Sequence, residues 1–210
     1  MTTTAAVVGP RPEVCLIRRG GRFKADIKKV SLGGAQAILK DFAGKPWPVR
    51  LLGRVQVVRE MRALDCLRGI PGVPACYGRW GRYGILLERI EGERITRWCD
   101  ARSSGIIPML ERLDRLVGLI HARGVVHLDL RKRDNVLIDG EGRPGIIDFN
   151  ASCCFARGGL AARLLLPLLR RIDTSAVLKW KKHVAPQILR PGDARRDRLM
   201  MLLRRLWIFN

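Results

Sequence analysis

The amino-acid sequence predicts an α+β protein in two parts: a small antiparallel β-sheet with one helix in front, and a reduced, mainly helical rear. Three observations carry that expectation. Short β-type apolar runs joined by glycine turns fill residues 13–42. Two later stretches, 54–68 and 108–123, repeat apolar residues at helical spacing. Beyond Asn150 the chain reads as helical and basic. At 210 residues it is long enough to bury a core as one domain or as two small lobes. The expected organisation is a disordered leader over 1–12, a front part over 13–90 and a rear part over 91–210.

The front part opens on Val14-Cys15-Leu16-Ile17, a basic glycine turn over Arg18–Arg22, and a second run from Ala25 to Leu32. After Gly33-Gly34 a third strand spans Gln36 to Lys40. The helix over Arg54–Arg68 carries Val57, Met61, Leu64 and Leu67 as one stripe, and at 100° per residue Glu60 falls inside it. A carboxylate on the core side of a helix requires a partner, because a buried unpaired charge costs several kcal/mol. Lys40, twenty residues upstream, is the candidate, although an edge-strand lysine would read the same way in isolation. Pro71–Pro74 forms a turn, and Tyr83–Gly92 reads as a strand.

In the rear part Leu110, Leu113, Val117 and Ile120 define a second amphipathic helix over Pro108–Arg123, and Gly124 ends it. Leu160–Arg171, Asp173–His183 and Arg195–Leu206 then read as helical.

Forty Lys and Arg against 19 Asp and Glu give a net charge of +21. That field favours polyanions such as nucleic acid, anionic lipid headgroups, phosphorylated saccharide or ATP. Only 6% of residues are aromatic, which argues against a nucleic-acid groove lined with stacking side chains. The greasiest stretch, Leu160–Leu169, is broken by Arg163 and Pro167, so no membrane span is expected. The start of the chain lacks the features of a signal peptide. A cytoplasmic location follows, with peripheral contact at the inner membrane suggested by the basic amphipathic segments Leu160–Arg171 and Arg198–Phe209. Core-packing helices with arginine on the solvated side are the plainer reading of both segments. The six cysteines (15, 66, 76, 99, 153 and 154) show no metal-ligand spacing and read as reduced thiols. Oxidation of Cys153 and Cys154 is expected to bear on the loop that precedes them.

The most informative stretch is Val125-Val126-His127-Leu128-Asp129-Leu130, followed by Asp134-Asn135-Val136-Leu137-Ile138 and Ile146-Ile147-Asp148-Phe149-Asn150. Two acids, Asp129 and Asp148, lie at the ends of short apolar segments. Phosphoryl transfer needs such a pair, since one acid orients the attacking hydroxyl while another holds the metal that bridges the phosphates.

The order His-x-Asp, Asn, Asp-Phe resembles the catalytic and metal-binding loops of the protein-kinase-like superfamily. The resemblance spans Val14 to Asn150, about two thirds of the chain, and implies a two-lobed protein-kinase-like fold. On matching positions it implies that Asp129 orients or deprotonates the acceptor hydroxyl and that His127 braces the loop over 127–135. It implies that Asp148, in the metal loop over 148–150, chelates Mg²⁺. Ala37-Ile38-Leu39-Lys40 looks like the lysine strand, with Lys40 gripping the ATP phosphates and Glu60 holding Lys40. Arg131 sits where many kinases carry a lysine facing the γ-phosphate, and the backbone groups of Glu88 and Ile90 would meet the adenine edge.

The sequence also departs from the pattern. Asp134 stands five residues after Asp129, where the metal-binding Asn is usual, and Asn135 stands six after it. Either can supply oxygen, and Asn135 is favoured because Val136-Leu137-Ile138 continues correctly from it. Asn150 replaces the usual Gly of the metal loop, and Asn tolerates φ > 0. Gly20 and Gly21 lie in a phosphate-covering turn that lacks a full G-x-G-x-x-G. The short tail is similar to that of RIO-type and lipopolysaccharide core kinases, implying transfer to a protein Ser/Thr or a lipopolysaccharide sugar. A catalytically weak pseudokinase is the alternative, and a basic nucleic-acid-binding protein comes third.

Overall fold

A computed structural model describes residues 13–32, 34–102, 104–156 and 158–189. The leader over 1–12 and the segments over 195–206 and 198–209 lie outside the described residues. The protein is α+β, with a five-stranded antiparallel sheet, two smaller sheets and four α-helices among the described residues. It divides into two compact units. The first takes the described residues up to Val57 together with Cys76–Arg89; the second takes Val58–Ala75 and the described residues from Ile90 onward.

In the first unit, β1 (Glu13–Arg18), β2 (Asp26–Leu32) and β3 (Ala35–Asp41) form the expected meander. The helix α1 (Trp47–Cys66) follows, its residues from Val58 onward belonging to the second unit, then β4 (Cys76–Trp80) and β5 (Gly84–Glu88). The sheet order is β1-β2-β3-β5-β4. Period-2 alternation along β3 turns Ala37 and Leu39 into a core with Val30 and Leu86, which Trp80 borders. Lys40 therefore lies on the other face of β3, in register with Ile27 and Ile85.

The helix begins seven residues earlier than the apolar stripe predicts. Pro48, in its first turn, lacks only an N–H that a helix start leaves unpaired in any case. Trp47, Leu51, Leu52 and Val55 are all exposed, and Val49 is the one large apolar side chain buried in the first half of α1, so most of its apolar residues lie off the core-facing row. Gly53 continues that row: a Cβ there would come within 2.4 Å of the Phe42 ring. In the second half Val57, Leu64 and Leu67 are buried, and Glu60 among them is only 2% exposed.

The second unit holds β6 (Glu93–Arg94), α2 (Ile95–Asp100) and α3 (Ile106–Ala122). Leu110, Leu113, Val117 and Ile120 are buried along α3 as the spacing requires. Gly124, at φ 77°, turns the chain out of the helix; a Cβ there would meet the Phe155 carbonyl oxygen at 2.6 Å. Next come β7 (Val125–Val126), β8 (Val136–Ile138), β9 (Pro144–Ile146) and β10 (Cys153–Cys154). β10 pairs with β7, while β8 pairs with both β6 and β9. The last helix, α4 (Leu160–Val184), runs unbroken through Pro167, where two separate stretches were expected. Its leucines 160, 164, 165 and 168 are exposed, and core packing begins at Leu169. No helix among the described residues is long and apolar enough to cross a membrane.

Candidate active site

The β8–β9 hairpin sets the site. Its register opposes Val136 to Ile146, so the residues just outside, Asn135 and Ile147, are neighbours, and the Ile147 N–H donates to the Asn135 carbonyl at 3.0 Å. Asp139 closes the hairpin tip by accepting from the N–H groups of Glu141 (2.9 Å) and Arg143 (2.8 Å) and from the Arg143 Nε (2.7 Å). Desolvation pushes the Asp139 carboxyl upward, but these donors outweigh it and hold the group below its ordinary range.

Asn135 is buried and donates its side-chain N–H groups to the Asp129 carbonyl at 2.9 Å and to Asp129 Oδ2 at 3.2 Å. With Nδ2 committed to Asp129, Oδ1 is the side-chain atom that Asn135 has to offer a cation. Asp134, the alternative ligand, turns instead to the Arg94 guanidinium at 2.8 Å in a half-exposed ion pair.

His127 is fully buried and bridges the two loops. Its Nε2 lies 3.0 Å from the Ile147 carbonyl, and its Nδ1 lies 3.2 Å from the Asp129 N–H. A carbonyl can only accept and an amide N–H can only donate, so Nε2 is the donor and Nδ1 the acceptor. The ring also packs edge-on against Phe149. One imidazole thus joins the Asp129 N–H to the carbonyl of the residue preceding Asp148.

Leu128 (φ 67°) and Asp148 (φ 69°) are the two non-glycine residues with positive φ among the described residues. Each such conformation costs about 1–3 kcal/mol, and the two flank the contacts made by His127. The strain falls at Asp148 rather than at Asn150, which sits in a 3₁₀ turn over Phe149–Ala151. Asp tolerates the left-handed region several-fold better than most residues, so a glycine at position 150 is not needed for this turn.

Two residues missed in the sequence complete the arrangement. Asp173, on α4 and 1% exposed, accepts from the N–H groups of His127 (2.7 Å) and Leu128 (2.8 Å) and lies 3.0 Å from His121 Nε2. From the same helix Trp180 Nε1 donates to the Leu130 carbonyl at 3.2 Å and Lys179 to the Arg131 carbonyl at 3.1 Å. Asp173, Ala176, Val177 and Trp180 share one buried helix face. The wheel argument that singled out Glu60 applies equally to Asp173.

The second is Lys132, whose ammonium lies 2.5 Å from Asp129 Oδ2. Arg131, expected in that position, reaches toward the Ser175 carbonyl at 3.5 Å. Lys132, three residues after Asp129, is therefore the basic side chain beside its carboxylate.

The remaining residues singled out in the sequence fall in both units. Lys40, Gly20, Gly21 and Glu88 belong to the first; Glu60 and Ile90 belong to the second. The glycine turn is tightly closed: the Gly20 N–H donates to Asp26 Oδ1 at 2.8 Å, and Lys45 donates to the Gly20 carbonyl at 3.0 Å and to Asp26 at 2.7 Å. Among the described residues no group of three or more His, Cys, Asp or Glu gathers as a metal centre. No protein-family model matches the chain, and no match is found among curated proteins.

Proposed function

We propose that the chain is an ATP-dependent phosphotransferase with a protein-kinase-like, two-lobed fold, moving the γ-phosphate to a hydroxyl of a protein Ser/Thr or a lipopolysaccharide core sugar. One observation carries the reading: Asn135 and His127 both fix Asp129, and His127 also holds the residue before Asp148. The Asp129 carboxylate, at 14% side-chain exposure, is held by Asn135 and Lys132, and its backbone N–H by His127. A loose transition state asks for positioned groups of this kind.

On this reading Asp129 orients the acceptor hydroxyl and takes its proton, and Lys132 is the cation beside it. Asp148 and Asn135 would hold Mg²⁺, which supplies neutralisation of phosphate charge when bound. Lys40 and Glu60 are the phosphate-holding pair that the resemblance implies, and Glu88 and Ile90 the adenine contacts.

Asp129→Asn is expected to lower radiolabelled γ-phosphate transfer by about 10²–10⁴-fold while ATP binding persists. Equal turnover by the variant and the parent would reject the role of Asp129.

The closed glycine turn and the Lys132–Asp129 contact favour a second reading, a nucleotide-binding pseudokinase. Wild-type protein that binds Mg²⁺-ATP yet transfers no phosphate to a casein-type acceptor or to deacylated lipopolysaccharide would support it.

A further inference from the structure

Three of the six cysteines converge at one place in the second unit. Cys66 ends α1, and Cys153 and Cys154 form β10. Arg59 and Cys66, seven residues apart, share one face of α1 about two turns from each other. Arg59 donates to the Ser152 carbonyl at 3.3 Å and reaches Cys153 Sγ at 4.0 Å. Further along, Cys154 pairs with Val125 and the Phe155 N–H donates to the Gly124 carbonyl at 2.9 Å, next to Arg123, which brings Cys154 to the Cys66 end of α1. The segment over 151–154 thus lies along the helix with Cys153 toward Arg59 and Cys154 toward Cys66. Arg123 holds the end of the helix through the Cys66 carbonyl at 3.2 Å.

We infer that Cys66 and Cys154 are a peroxide-oxidisable dithiol that closes a disulfide between the end of α1 and β10. The neighbouring Cys153 is not the partner, because successive side chains of a strand point to opposite faces. The chemistry balances with a peroxide as oxidant. The Cys66 sulfur attacks a peroxide oxygen and the O–O bond breaks, giving a sulfenic acid and water. The Cys154 sulfur then attacks the Cys66 sulfur, loses its proton and expels the hydroxyl as a second water. Two thiols are oxidised, and the peroxide is reduced to two waters.

Both residues are exposed, so the peroxide has access. The order of events follows from the surroundings of Cys154. Desolvation of its sulfur, and then the charge of Cys66, push the Cys154 thiol up to about 11. Cys154 is thereby a poor first nucleophile, and the first attack on the peroxide is assigned to Cys66. The link bears on both loops of the site, since β10 follows Asp148 closely and pairs with Val125 and Val126, immediately before His127.

The test is independent of phosphate transfer, so its failure and that of the proposed activity are separable. The reduced full-length chain is treated with hydrogen peroxide, alkylated under denaturing conditions and mapped by mass spectrometry without reduction. The expected product is a peptide pair joined through Cys66 and Cys154, lost on adding dithiothreitol. Cys153→Ser retains the link. Cys154→Ser abolishes it and leaves a dimedone-reactive sulfenic acid on Cys66. A Cys153–Cys154 disulfide, loss of the link in Cys153→Ser, or oxidation with no linked peptide would overturn the assignment.

Discussion

The loop around Asp129 and the glycine turn around Gly20 are both short and irregular, with charged groups at their centre, yet they are held by different means. The first is fastened from three directions: by α4 through Asp173, by the hairpin through Asn135, and by the buried ring of His127. Most of its contacts run between a buried side chain and the backbone. The second closes on one ion pair, Lys45–Asp26, at 13% and 20% side-chain exposure. A loop tied to backbone groups by buried partners cannot open one contact at a time, because each freed N–H or carbonyl would be left without water. A turn closed by a partly solvated ion pair can, since water replaces each partner. Position-critical acids are therefore expected in the first kind of loop, and adjustable ones in the second.

The sharpest way to break this contrast is to remove Asp173. Asp173→Ala leaves two backbone N–H groups and His121 without their acceptor, and is expected to destabilise the protein by about 3–5 kcal/mol in urea unfolding. Asp173→Asn keeps one acceptor oxygen and should fall between the variant and the parent. A loss below about 1 kcal/mol in Asp173→Ala would mean that α4 does not anchor the loop.

How much of this was legible in the sequence depends on the range of the interaction. Strand β3 and helix α3 follow periodicity, because burial on one face dictates both; β1, exposed along its length, was legible only as an apolar run before a glycine turn. Asn135 could be favoured over Asp134 from the apolar run after it, since the hairpin register is local. Asp173 was missed although its helix was recognised: the wheel places it on the buried face with Ala176, Val177 and Trp180, but its partners lie more than forty residues earlier in the chain. Lys132 was missed because Arg131, one residue nearer to Asp129 in the chain, was singled out, whereas the loop returns the side chain three residues on to the carboxylate. The first half of α1 was missed because it buries little. The left-handed turn was expected at Asn150 by analogy with glycine, whereas the strain sits at Asp148, a property of φ that composition does not reveal.

A second prediction separates ring packing from hydrogen bonding at His127. His127→Phe keeps an aromatic body against Phe149 but removes the donor to Ile147 and the acceptor for the Asp129 N–H. Two hydrogen bonds at about 1 kcal/mol each give an expected loss of about 2 kcal/mol. Stability equal to the parent would assign His127 a packing role only.

A third concerns strain. Leu128→Gly relieves a left-handed conformation worth about 1–2 kcal/mol and gives up a half-buried apolar side chain of similar value. Its stability should stay within about 1 kcal/mol of the parent, whereas a loss beyond about 2 kcal/mol would mean that φ 67° at Leu128 stores no strain.

The smallest effect belongs to the glycine turn and appears as a pH dependence. Desolvation raises the Asp26 carboxyl, but the hydrogen bond from Lys45, the Gly20 N–H and the nearby charges of Lys45 and Lys28 carry it below its ordinary value of 3.8 on balance. A carboxylate lowered in the folded state contributes stability above its unfolded value, and that contribution is lost as pH falls through the folded value. Lys45→Met should therefore remove about 1 kcal/mol at pH 7 and flatten the acid limb of the stability curve below about pH 4, while unfolding near neutral pH stays cooperative. High salt should shrink the difference between the parent and Lys45→Met, because the pair is partly solvated, and should leave the Asp173→Ala penalty almost untouched. Equal salt sensitivity of the two variants would erase the distinction between a loop held by buried backbone contacts and one held by an ion pair.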